Sequence, residues 1–229
     1  MPRAARTPQE VEAVKKEILD TALELIRTEG FENLSMRKIA SRLRITATTI
    51  YNYYANKDEL NLMIRIRGFQ ILYSMLEEPS LGGGSVEERL GSMIRAYAEF
   101  GVSHPGYYDI MFNLNTPKYA DYAGTQMEPS ALREKENALR CFEIFYRMVK
   151  EYARREELAL DEEDIRYLLI RMWSDLHGIV SLYNSRVLYE VDEHTRAVLD
   201  RRVEDLIGTV MEIRDRLTNN IKSSHREAT

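Results

Sequence analysis

The stretch SMRKIASRLRITATTIYNYYANK, residues 35–57, decides how the rest of this sequence is interpreted. It holds five basic residues and no acidic one, although the whole chain has 32 Lys and Arg against 37 Asp and Glu. Two short helical patterns, residues 35–43 and 46–53, share one apolar side. Its members are Ile39, Ala40, Leu43, Ile45, Ile50 and Tyr54. Two short helices beside a tight turn, with local positive charge, predict a helix-turn-helix over residues 35–54.

Both short helices begin with a hydroxyl residue, Ser35 or Thr46, that can cap the free N–H groups of a helix start. Such starts attract phosphate groups, because unpaired donors and the positive end of the helix dipole face the anion. The second helix also presents small or hydrogen-bonding side chains outward. These are Thr46, Ala47, Thr48, Thr49, Asn52 and Tyr53. Because a solvent-facing helix normally carries Glu and Lys, we expect this one to read base edges in the major groove of double-stranded DNA.

A longer segment, residues 19–60, resembles the N-terminal DNA-binding domain of the TetR (tetracycline-repressor) family of transcriptional regulators. The resemblance rests on Ala22, Gly30 and Phe31, on Ile39-Ala40, on Thr49-Ile50-Tyr51 and on Lys57-Asp58-Glu59-Leu60. The family usually has Gly in the turn, where this chain has Arg44. An Arg at positive φ would cost about 1 kcal/mol relative to Gly, so either the turn differs slightly or the added charge offsets the strain.

The resemblance implies a homodimer that sets two recognition helices into successive major grooves of a pseudo-palindromic operator and so blocks transcription. In this family the positions of Tyr51 and Lys57 contact phosphates. The full set of candidate DNA-binding residues is Ser35, Arg37, Arg44, Thr46, Ala47, Thr48, Thr49, Tyr51, Asn52, Tyr53 and Lys57. An N-terminal arm with Arg3 and Arg6 could add a minor-groove contact, and a solvated tail is the alternative.

Length and composition describe a globular protein, since 229 residues with 44% hydrophobic content suffice for a core. Every strong periodicity is helical, which predicts an all-α fold of about nine helices. We expect a three-helix helix-turn-helix domain at residues 8–72 and a larger ligand-binding and dimerisation domain at residues 73–219. No apolar run reaches the roughly 20 residues of a membrane span, and MPRAARTPQE lacks the apolar centre of a signal peptide, so we expect a cytoplasmic protein with no membrane partner.

Charge and reactive residues narrow the function classes. Residues 1–60 contain ten basic and nine acidic side chains, so the remaining residues carry a net charge of −6, which keeps the bulk of the molecule away from DNA. The single cysteine, Cys141, excludes an internal disulfide. The four histidines have no metal-ligand spacing, and neither a phosphate-binding glycine loop nor a nucleophile elbow is present. The sequence therefore predicts no metal, no cofactor and no enzymatic activity.

Outside the helix-turn-helix, apolar spacing predicts further helices. Their expected ranges are 8–28, 86–103, 107–112, 130–156, 161–188 and 193–219, with one more helix that begins at residue 56 or 58 and ends at 76. Pro79 to Ser85 has the composition of a flexible loop. Residues 161–188 carry apolar side chains on two sides, which predicts a helix covered on both sides.

The last predicted helix has apolar residues at alternating spacings of four and three, the pattern of a heptad seam. The seam consists of Leu199, Val203, Leu206, Val210, Ile213 and Leu217. We predict that it forms the dimer interface, in a four-helix bundle built from two chains as in the TetR family. Packing of the seam within one chain is the alternative.

Aromatic side chains near residues 107–122 predict the wall or lid of a cavity, with surface packing of amphipathic Tyr as the alternative. The candidate ligand-binding residues are Met93, Tyr97, Tyr107, Phe112, Phe142, Tyr146, Trp173 and His177. Aromatic and polarisable side chains favour a small apolar or aromatic effector.

The segment Trp173–Gly178 resembles a Trp-x-x-x-His-Gly motif of the ligand-binding domains in one large TetR subgroup. Gly178 inside a helix predicts the close approach of a neighbouring helix or ligand. His177 could hydrogen-bond an effector, but a satisfied core histidine is favoured, and Trp173 is favoured as core.

Three function classes stay open at this point. They are a ligand-responsive transcriptional repressor, a DNA-binding regulator with no small-molecule effector, and an enzyme or scaffold with an incidental helix-turn-helix. The resemblance favours the first. A cavity of ligand size would separate the first two, and DNA binding would exclude the third.

Overall fold

The structure, a computed structural model, describes residues 6–211, with Met211 described by its backbone alone. All regular elements in this part of the chain are helical, which confirms the all-α prediction. Its α-helices are α1 (Pro8–Glu29), α2 (Met36–Leu43), α3 (Ala47–Tyr51), α4 (Lys57–Leu81), α5 (Val86–Ser103), α6 (Pro105–Tyr108), α7 (Glu128–Arg155), α8 (Glu162–Asn184) and α9 (Thr195–Met211). Single 3-10 turns occupy Phe31–Asn33, Tyr119–Tyr122 and Val187–Glu190, and a π-helical turn occupies Asp109–Asn113.

The described residues divide into two compact units, each with its own packed interior. The first contains residues 6–70 and 106–138, and the second contains residues 71–105 and 139–211. Packing thus groups residues 106–138 with the N-terminal helices, whereas the sequence placed them in the C-terminal domain. As a boundary between functions, residue 72 stays a prediction.

Helix α1 has strong sequence signals at both ends. Thr7 and Glu10 form a capping box, in which the Thr7 hydroxyl accepts from the Glu10 N–H at 3.3 Å and the Glu10 carboxylate accepts from the Thr7 N–H at 2.7 Å. Pro8 occupies the first turn, where its missing N–H costs nothing. Gly30 follows the last turn at φ 85°.

The inner faces of α1, α2 and α3 meet the first turns of α4 in one core. Its fully or almost fully buried members are Ile18, Ala22, Leu25, Leu34, Met36, Ile39, Ala40, Ile50, Tyr54, Leu60 and Ile64. Most of the apolar side predicted for the two short helices belongs to this core. Leu43 and Ile45 are half-buried instead.

Helix α4 ends five residues later than the sequence predicted, because it continues through Pro79 to Leu81. Proline cannot donate to the Met75 carbonyl, but the last turn has other bonds. The Ser80 hydroxyl donates to the Glu77 carbonyl at 2.7 Å, and Arg89 donates to the Ser80 carbonyl at 3.0 Å. The predicted loop therefore shrinks to residues 82–85, and Ser85 then caps α5, which has the predicted bounds.

Residues 106–138 pack against the first half of α4 through aromatic and methionine side chains. A β-carbon at Gly68 would collide with the Met111 sulfur, so the absence of a side chain allows this close approach. The Phe69 and Phe112 rings meet edge to face, with their centroids 5.8 Å apart. The centroids of the Tyr108 and Phe112 rings are 5.0 Å apart. The short helix predicted at residues 107–112 is here α6 followed by the π-helical turn.

A buried ion pair lies in the same unit, between Arg65 on α4 and Glu134 on α7, with a nitrogen–oxygen distance of 2.7 Å. The Arg65 guanidinium also donates to the Thr116 hydroxyl at 3.3 Å and to the Pro117 carbonyl at 3.1 Å. It thereby fastens the segment after the π-helical turn to α4. Asn61, one turn earlier on α4, is fully buried with neither amide atom hydrogen-bonded.

The second unit corrects the predicted dimer seam. Helices α5, α8 and α9 pack together, and the described members of the seam lie between them with at most 6% of their surface exposed. These are Leu199, Val203, Leu206 and Val210. Because α5 and α8 of the same chain already cover them, they are not available to a partner. Ile213 and Leu217, the other two predicted members, lie outside the described residues.

Within residues 6–211, helix α8 is covered on one side only. Its inner residues Ile165, Leu169, Met172, Leu176 and Val180 are buried. Its other side exposes large apolar residues: Tyr167, Ile170, Trp173 and Leu182. The helix ends at Asn184, four residues before the predicted end, because Arg186 adopts a left-handed backbone conformation at φ 62°.

Candidate functional site

Helices α2 and α3 form the predicted helix-turn-helix, and both begin with the predicted side-chain caps. The Ser35 hydroxyl accepts from the Lys38 N–H at 3.2 Å, and the Thr46 hydroxyl accepts from the Thr49 N–H at 3.2 Å. Helix α3 is short and ends at Tyr51, so Asn52 and Tyr53 lie in the turn that follows rather than in the helix.

Two internal contacts set the position of α3. Ile50, the one fully buried residue of α3, anchors it in the core. Tyr54, just beyond it, is buried and donates its hydroxyl to the Lys15 carbonyl of α1 at 3.3 Å. Burial also raises the pKa of Tyr54, which keeps the phenol a hydrogen-bond donor. The outer face of α3 is thus presented by a rigid support.

Most of the candidate DNA-binding side chains lie on this outer surface. Those exposed to solvent are Ser35, Arg37, Arg44, Thr46, Thr48, Tyr51 and Asn52. Ala47, Thr49 and Tyr53 are half-buried, and the Thr49 hydroxyl lies 2.9 Å from the Thr46 hydroxyl. Thr49 therefore contributes to the helix start more than to the exposed surface.

The turn between the two helices keeps the geometry for which glycine is preferred. Arg44 adopts φ 55° and ψ 38°, a left-handed conformation, and its N–H donates to the Ser41 carbonyl at 3.2 Å. Of the two alternatives raised by the sequence, a changed turn or a strained arginine, the structure has the strained arginine. Strain of this kind in a non-glycine residue is found where the side chain has another use.

Lys57, a predicted phosphate contact, has internal partners in this structure, and its contact with phosphate stays a prediction. The ammonium donates to the Phe31 carbonyl at 2.9 Å and lies 4.2 Å from the centre of the Phe31 ring. A cation over an aromatic face is stabilised by the ring quadrupole. Lys57 therefore ties the start of α4 to the 3-10 turn after α1.

Glu29 is a residue of this surface that sequence reasoning missed. Its carboxylate lies 2.7 Å from the Lys38 ammonium and 3.9 Å from the Arg42 guanidinium. The hydrogen bond from Lys38 is the main reason that the pKa of Glu29 is lowered. The available signal was the spacing of Lys38 and Arg42, four residues apart on one side of α2, with an acid at the end of α1.

Arg6, the part of the predicted N-terminal arm that the structure describes, lies beside the end of α3. Arg6 donates to the Tyr53 hydroxyl, and its guanidinium lies 5.9 Å from the centre of the Tyr53 ring. This contact places a cation beside α3, whereas the sequence left a minor-groove contact and a solvated tail open for Arg6. Arg3 lies outside the described residues.

Three of the candidate effector residues, Tyr97, Trp173 and His177, lie together in the second unit. The Trp173 indole donates to the Tyr97 hydroxyl at 2.8 Å, and the His177 ring lies 6.3 Å from the Trp173 ring. Burial lowers the pKa of His177, which favours the neutral imidazole, and its Nε2 lies 3.5 Å from the Ser181 hydroxyl. Trp173 is 44% exposed, so the expectation of a core tryptophan is wrong.

Of the remaining effector candidates, three belong to the second unit and two to the first. Met93 is fully buried inside the second unit, where Phe142 and Tyr146 are half-buried on α7. Tyr107 and Phe112 belong to the first unit and pack near Gly68 and Phe69. Among the described residues, nothing lies within 4 Å of the missing β-carbon of Gly178, so residues 6–211 do not supply the close approach predicted for it.

Among the cavities of the second unit are a small apolar pocket and a larger open groove, and neither is lined by a candidate effector residue. One is an apolar pocket of about 20 Å³ between α7, α8 and α9, lined by Tyr152, Met172 and Leu206 among others. The other is an open groove of about 860 Å³ between the end of α4, α5 and α9. Its rim carries two ion-paired arginines, Arg95 with Glu204 and Arg196 with Glu99.

Comparison with known proteins decides what this arrangement is. Residues 18–62 match a family model described as bacterial regulatory proteins of the tetR family. Residues 90–206, which include Trp173–Gly178, match the C-terminal domain described as tetracyclin repressor-like. The chain belongs to the TetR family. It is therefore a transcriptional regulator with an N-terminal DNA-binding domain, as the sequence resemblance predicted.

Relatives within the TetR family match most of the chain. An HTH-type transcriptional regulator of Mycobacterium tuberculosis, Rv0681, is 23% identical over 83% of this chain and 81% of its own length. A solved tetR-family regulatory protein from Rhodococcus RHA1 covers 86% of this chain and 96% of its own, with 17% identity and a TM-score of 0.66. FadR from Bacillus subtilis, solved in complex with stearoyl-CoA, covers 84% of this chain and 97% of its own, with 16% identity and a TM-score of 0.62. At these identities the two structures support the fold alone.

In the part of the chain that the structure describes, no helix is long and apolar enough to cross a membrane.

Proposed function

We propose that this TetR-family regulator is a homodimeric repressor that binds a pseudo-palindromic DNA operator and leaves it when a small apolar or aromatic effector binds. The observation that carries operator binding is the outer surface of α2 and α3, where polar and basic side chains are exposed on a rigid support. Thr48 and Asn52 are the exposed short polar side chains best suited to base edges. Arg37, Arg44 and Tyr51 supply phosphate contacts beside them. Acting on DNA in this way, the protein works in the cytoplasm and is not an enzyme.

Fluorescence anisotropy with the DNA upstream of the protein's own gene tests operator binding. Asn52→Ala and Thr48→Ala should each weaken specific binding by about 1–3 kcal/mol and affect random duplex much less. Glu143→Gln, an exposed change on α7, is the control and should bind like the wild type. Equal losses on operator and random duplex would assign these residues to the phosphate backbone instead.

Dimerisation is supported by the uncovered side of α8. Tyr167, Ile170, Trp173 and Leu182 are each between 44% and 65% exposed in the single chain. Gly178, also exposed, lies between them in sequence and would allow another helix to approach closely. Apolar residues on one side of a helix normally have a partner. We place the dimer contact on this side of α8, because the predicted seam on α9 is used within the chain.

An effector response is supported by the Tyr97, Trp173 and His177 cluster, which combines aromatic surface with a neutral imidazole and a phenol. FadR, which has the same fold, was solved with stearoyl-CoA, a ligand with a long apolar chain. A thermal-shift screen of apolar and aromatic compounds, followed by a test of operator release, would find the effector. A hit should lose its effect in Tyr97→Phe and Trp173→Phe if it binds here.

A DNA-binding regulator without an effector is the second candidate, and one observation favours it. The apolar pocket between α7, α8 and α9 has a volume of about 20 Å³, whereas sites for small molecules usually need about 300–1,000 Å³. The groove of about 860 Å³ beside α5 and α9 is large enough, but it is open to solvent and none of the candidate effector residues lines it. If no compound in the screen both stabilises the protein and releases it from operator DNA, this second function is the better description.

A further inference from the structure

Glu29 lies at the edge of the DNA-binding surface and holds two of its cations. Its backbone is set at the end of α1, where the Glu29 carbonyl accepts from the Asn33 side-chain amide at 2.7 Å. From there its carboxylate reaches the Lys38 ammonium at 2.7 Å and the Arg42 guanidinium at 3.9 Å. Both cations project from the solvent side of α2, the first helix of the helix-turn-helix.

Three of the five cations in residues 35–57 contact other groups of the protein. Lys38 and Arg42 face Glu29, and Lys57 is occupied by the Phe31 carbonyl and ring. Among the described residues, Arg37 and Arg44 make no ion pair with a protein acid. Of the five positive charges in the basic stretch, two are therefore fully available to phosphates, and one acid outside the stretch accounts for most of the difference.

We propose that Glu29 sets the specificity of operator recognition by withholding Lys38 and Arg42 from the DNA backbone. Phosphate contacts bind every sequence alike, whereas base contacts discriminate between sequences. A carboxylate that neutralises backbone-directed cations lowers affinity for random DNA without touching a base. The ratio of operator affinity to random-DNA affinity rises as a result.

The exposed position of Glu29 allows it to lower the affinity for DNA without preventing DNA binding. Glu29 is 36% exposed on its side chain, and exposed ion pairs are weak, so phosphates compete with it for the two cations. Its negative charge also acts directly on the DNA, because the screening length at physiological salt is about 8 Å. Replacing the carboxylate with an amide of the same shape removes both effects and leaves the packing unchanged.

The experiment compares Glu29→Gln with the wild type on random duplex DNA and on the operator, over a series of salt concentrations. We expect the logarithmic salt slope on random DNA to steepen by about one to two units, since each additional phosphate neutralised by a released cation contributes about 0.9. At about 0.1 M salt, one unit of slope corresponds to binding about tenfold tighter. The increase in affinity for the operator should be smaller, so the specificity ratio should fall.

Glu24→Gln is the matched control. Glu24 also lies on α1, is exposed and pairs with a cation, Arg27, at 3.7 Å, but that pair does not involve α2. The two substitutions change the net charge equally, and only Glu29→Gln should change the salt slope. Adding Lys38→Met to Glu29→Gln should cancel at least half of the increase in slope, which identifies the released cation.

The proposal rests on DNA binding by the helix-turn-helix, and its failure is distinguishable from failure of that function. If the wild type binds neither operator nor random duplex, the proposed function is wrong. If the wild type binds and Glu29→Gln has the wild-type slope and specificity ratio, or if Glu24→Gln changes them equally, the role of Glu29 is overturned.

Discussion

At the scale of the residue, Lys57 is a predicted phosphate contact whose ammonium group also contacts Phe31 of the same chain. Replacing it with Met keeps the aliphatic stem but removes the bond to the Phe31 carbonyl and the contact with the Phe31 ring. We expect the free energy of unfolding to fall by about 1–2 kcal/mol. Urea denaturation measures this change, and Lys16→Met, at an exposed position on α1, should leave stability nearly unchanged.

The same variant separates the two roles of Lys57. A phosphate contact predicts that the salt slope of DNA binding becomes shallower by about 0.9, whereas a purely internal role predicts an unchanged slope. A stable Lys57→Met protein with a shallower slope would contradict the internal role argued from the structure.

Arg44 combines backbone strain with an exposed charge, so its replacement should have opposite effects on stability and on binding. Arg44→Gly relieves the left-handed conformation at φ 55° and should stabilise the protein by about 1 kcal/mol. It also removes a cation from the DNA-binding surface, and should weaken binding to operator and random DNA alike. Thermal or urea denaturation and a salt titration check the two halves. A more stable protein with undiminished DNA affinity would show that the strain has no function in binding.

At the scale of the element, α4 carries two buried polar residues, of which the Asn61 amide is unpaired and Arg65 is paired with Glu134. Asn61→Leu replaces two buried, unpaired amide atoms with an apolar side chain of similar size, and should raise the free energy of unfolding by about 1–3 kcal/mol.

Arg65→Met should have the opposite effect and lower the free energy of unfolding by about 3–5 kcal/mol, because it leaves Glu134 buried without its partner. Urea denaturation of both variants is the measurement, and destabilisation by Asn61→Leu would show that the Asn61 amide is satisfied in solution.

Helices α8 and α9 show why a heptad pattern does not identify its own partner. Alternating spacings of four and three place apolar residues on one side of a helix, and that side packs equally well against a helix of the same chain or of another. In α9 the described part of the seam packs against α5 and α8 of the same chain. The uncovered apolar surface is on α8, where the two-sided pattern of the sequence had indicated burial on both sides.

At the scale of the whole molecule, the exposed side of α8 leads to a prediction about assembly. Ile170→Lys places a charge at the centre of the proposed dimer contact, where burial without a partner costs several kcal/mol. Because Ile170 is 49% exposed in the single chain, the fold should survive and the dimer should dissociate. Analytical ultracentrifugation together with circular dichroism checks both statements.

The control for assembly is Leu139→Lys, since Leu139 is 53% exposed on α7 and lies outside the proposed contact. It should remain a dimer of wild-type stability. Dissociation by Leu139→Lys, or a stable dimer of Ile170→Lys, would place the interface elsewhere on the molecule.

The sequence by itself determined the parts of this protein that depend on neighbouring residues. Caps such as Ser35 and Thr46, the capping box of α1 and the period of the apolar residues are local, so the helix-turn-helix and the all-α fold could be predicted from them. The exposed polar side of α3 followed from the same periodicity. The bounds of α5 were also predicted correctly, because Ser85 and His104–Pro105 mark its two ends.

Only the tertiary structure decided which surfaces remain free, because burial depends on residues far apart in the sequence. In the folded chain Lys57 contacts Phe31, and two cations of α2 pair with Glu29. The described part of the α9 seam is buried within the same chain. The tertiary structure also paired Tyr97 with Trp173 in the second unit, and it packed Phe112 against Phe69 in the first. Periodicity predicts which side of a helix is buried, but the residues that cover that side are determined by the three-dimensional fold.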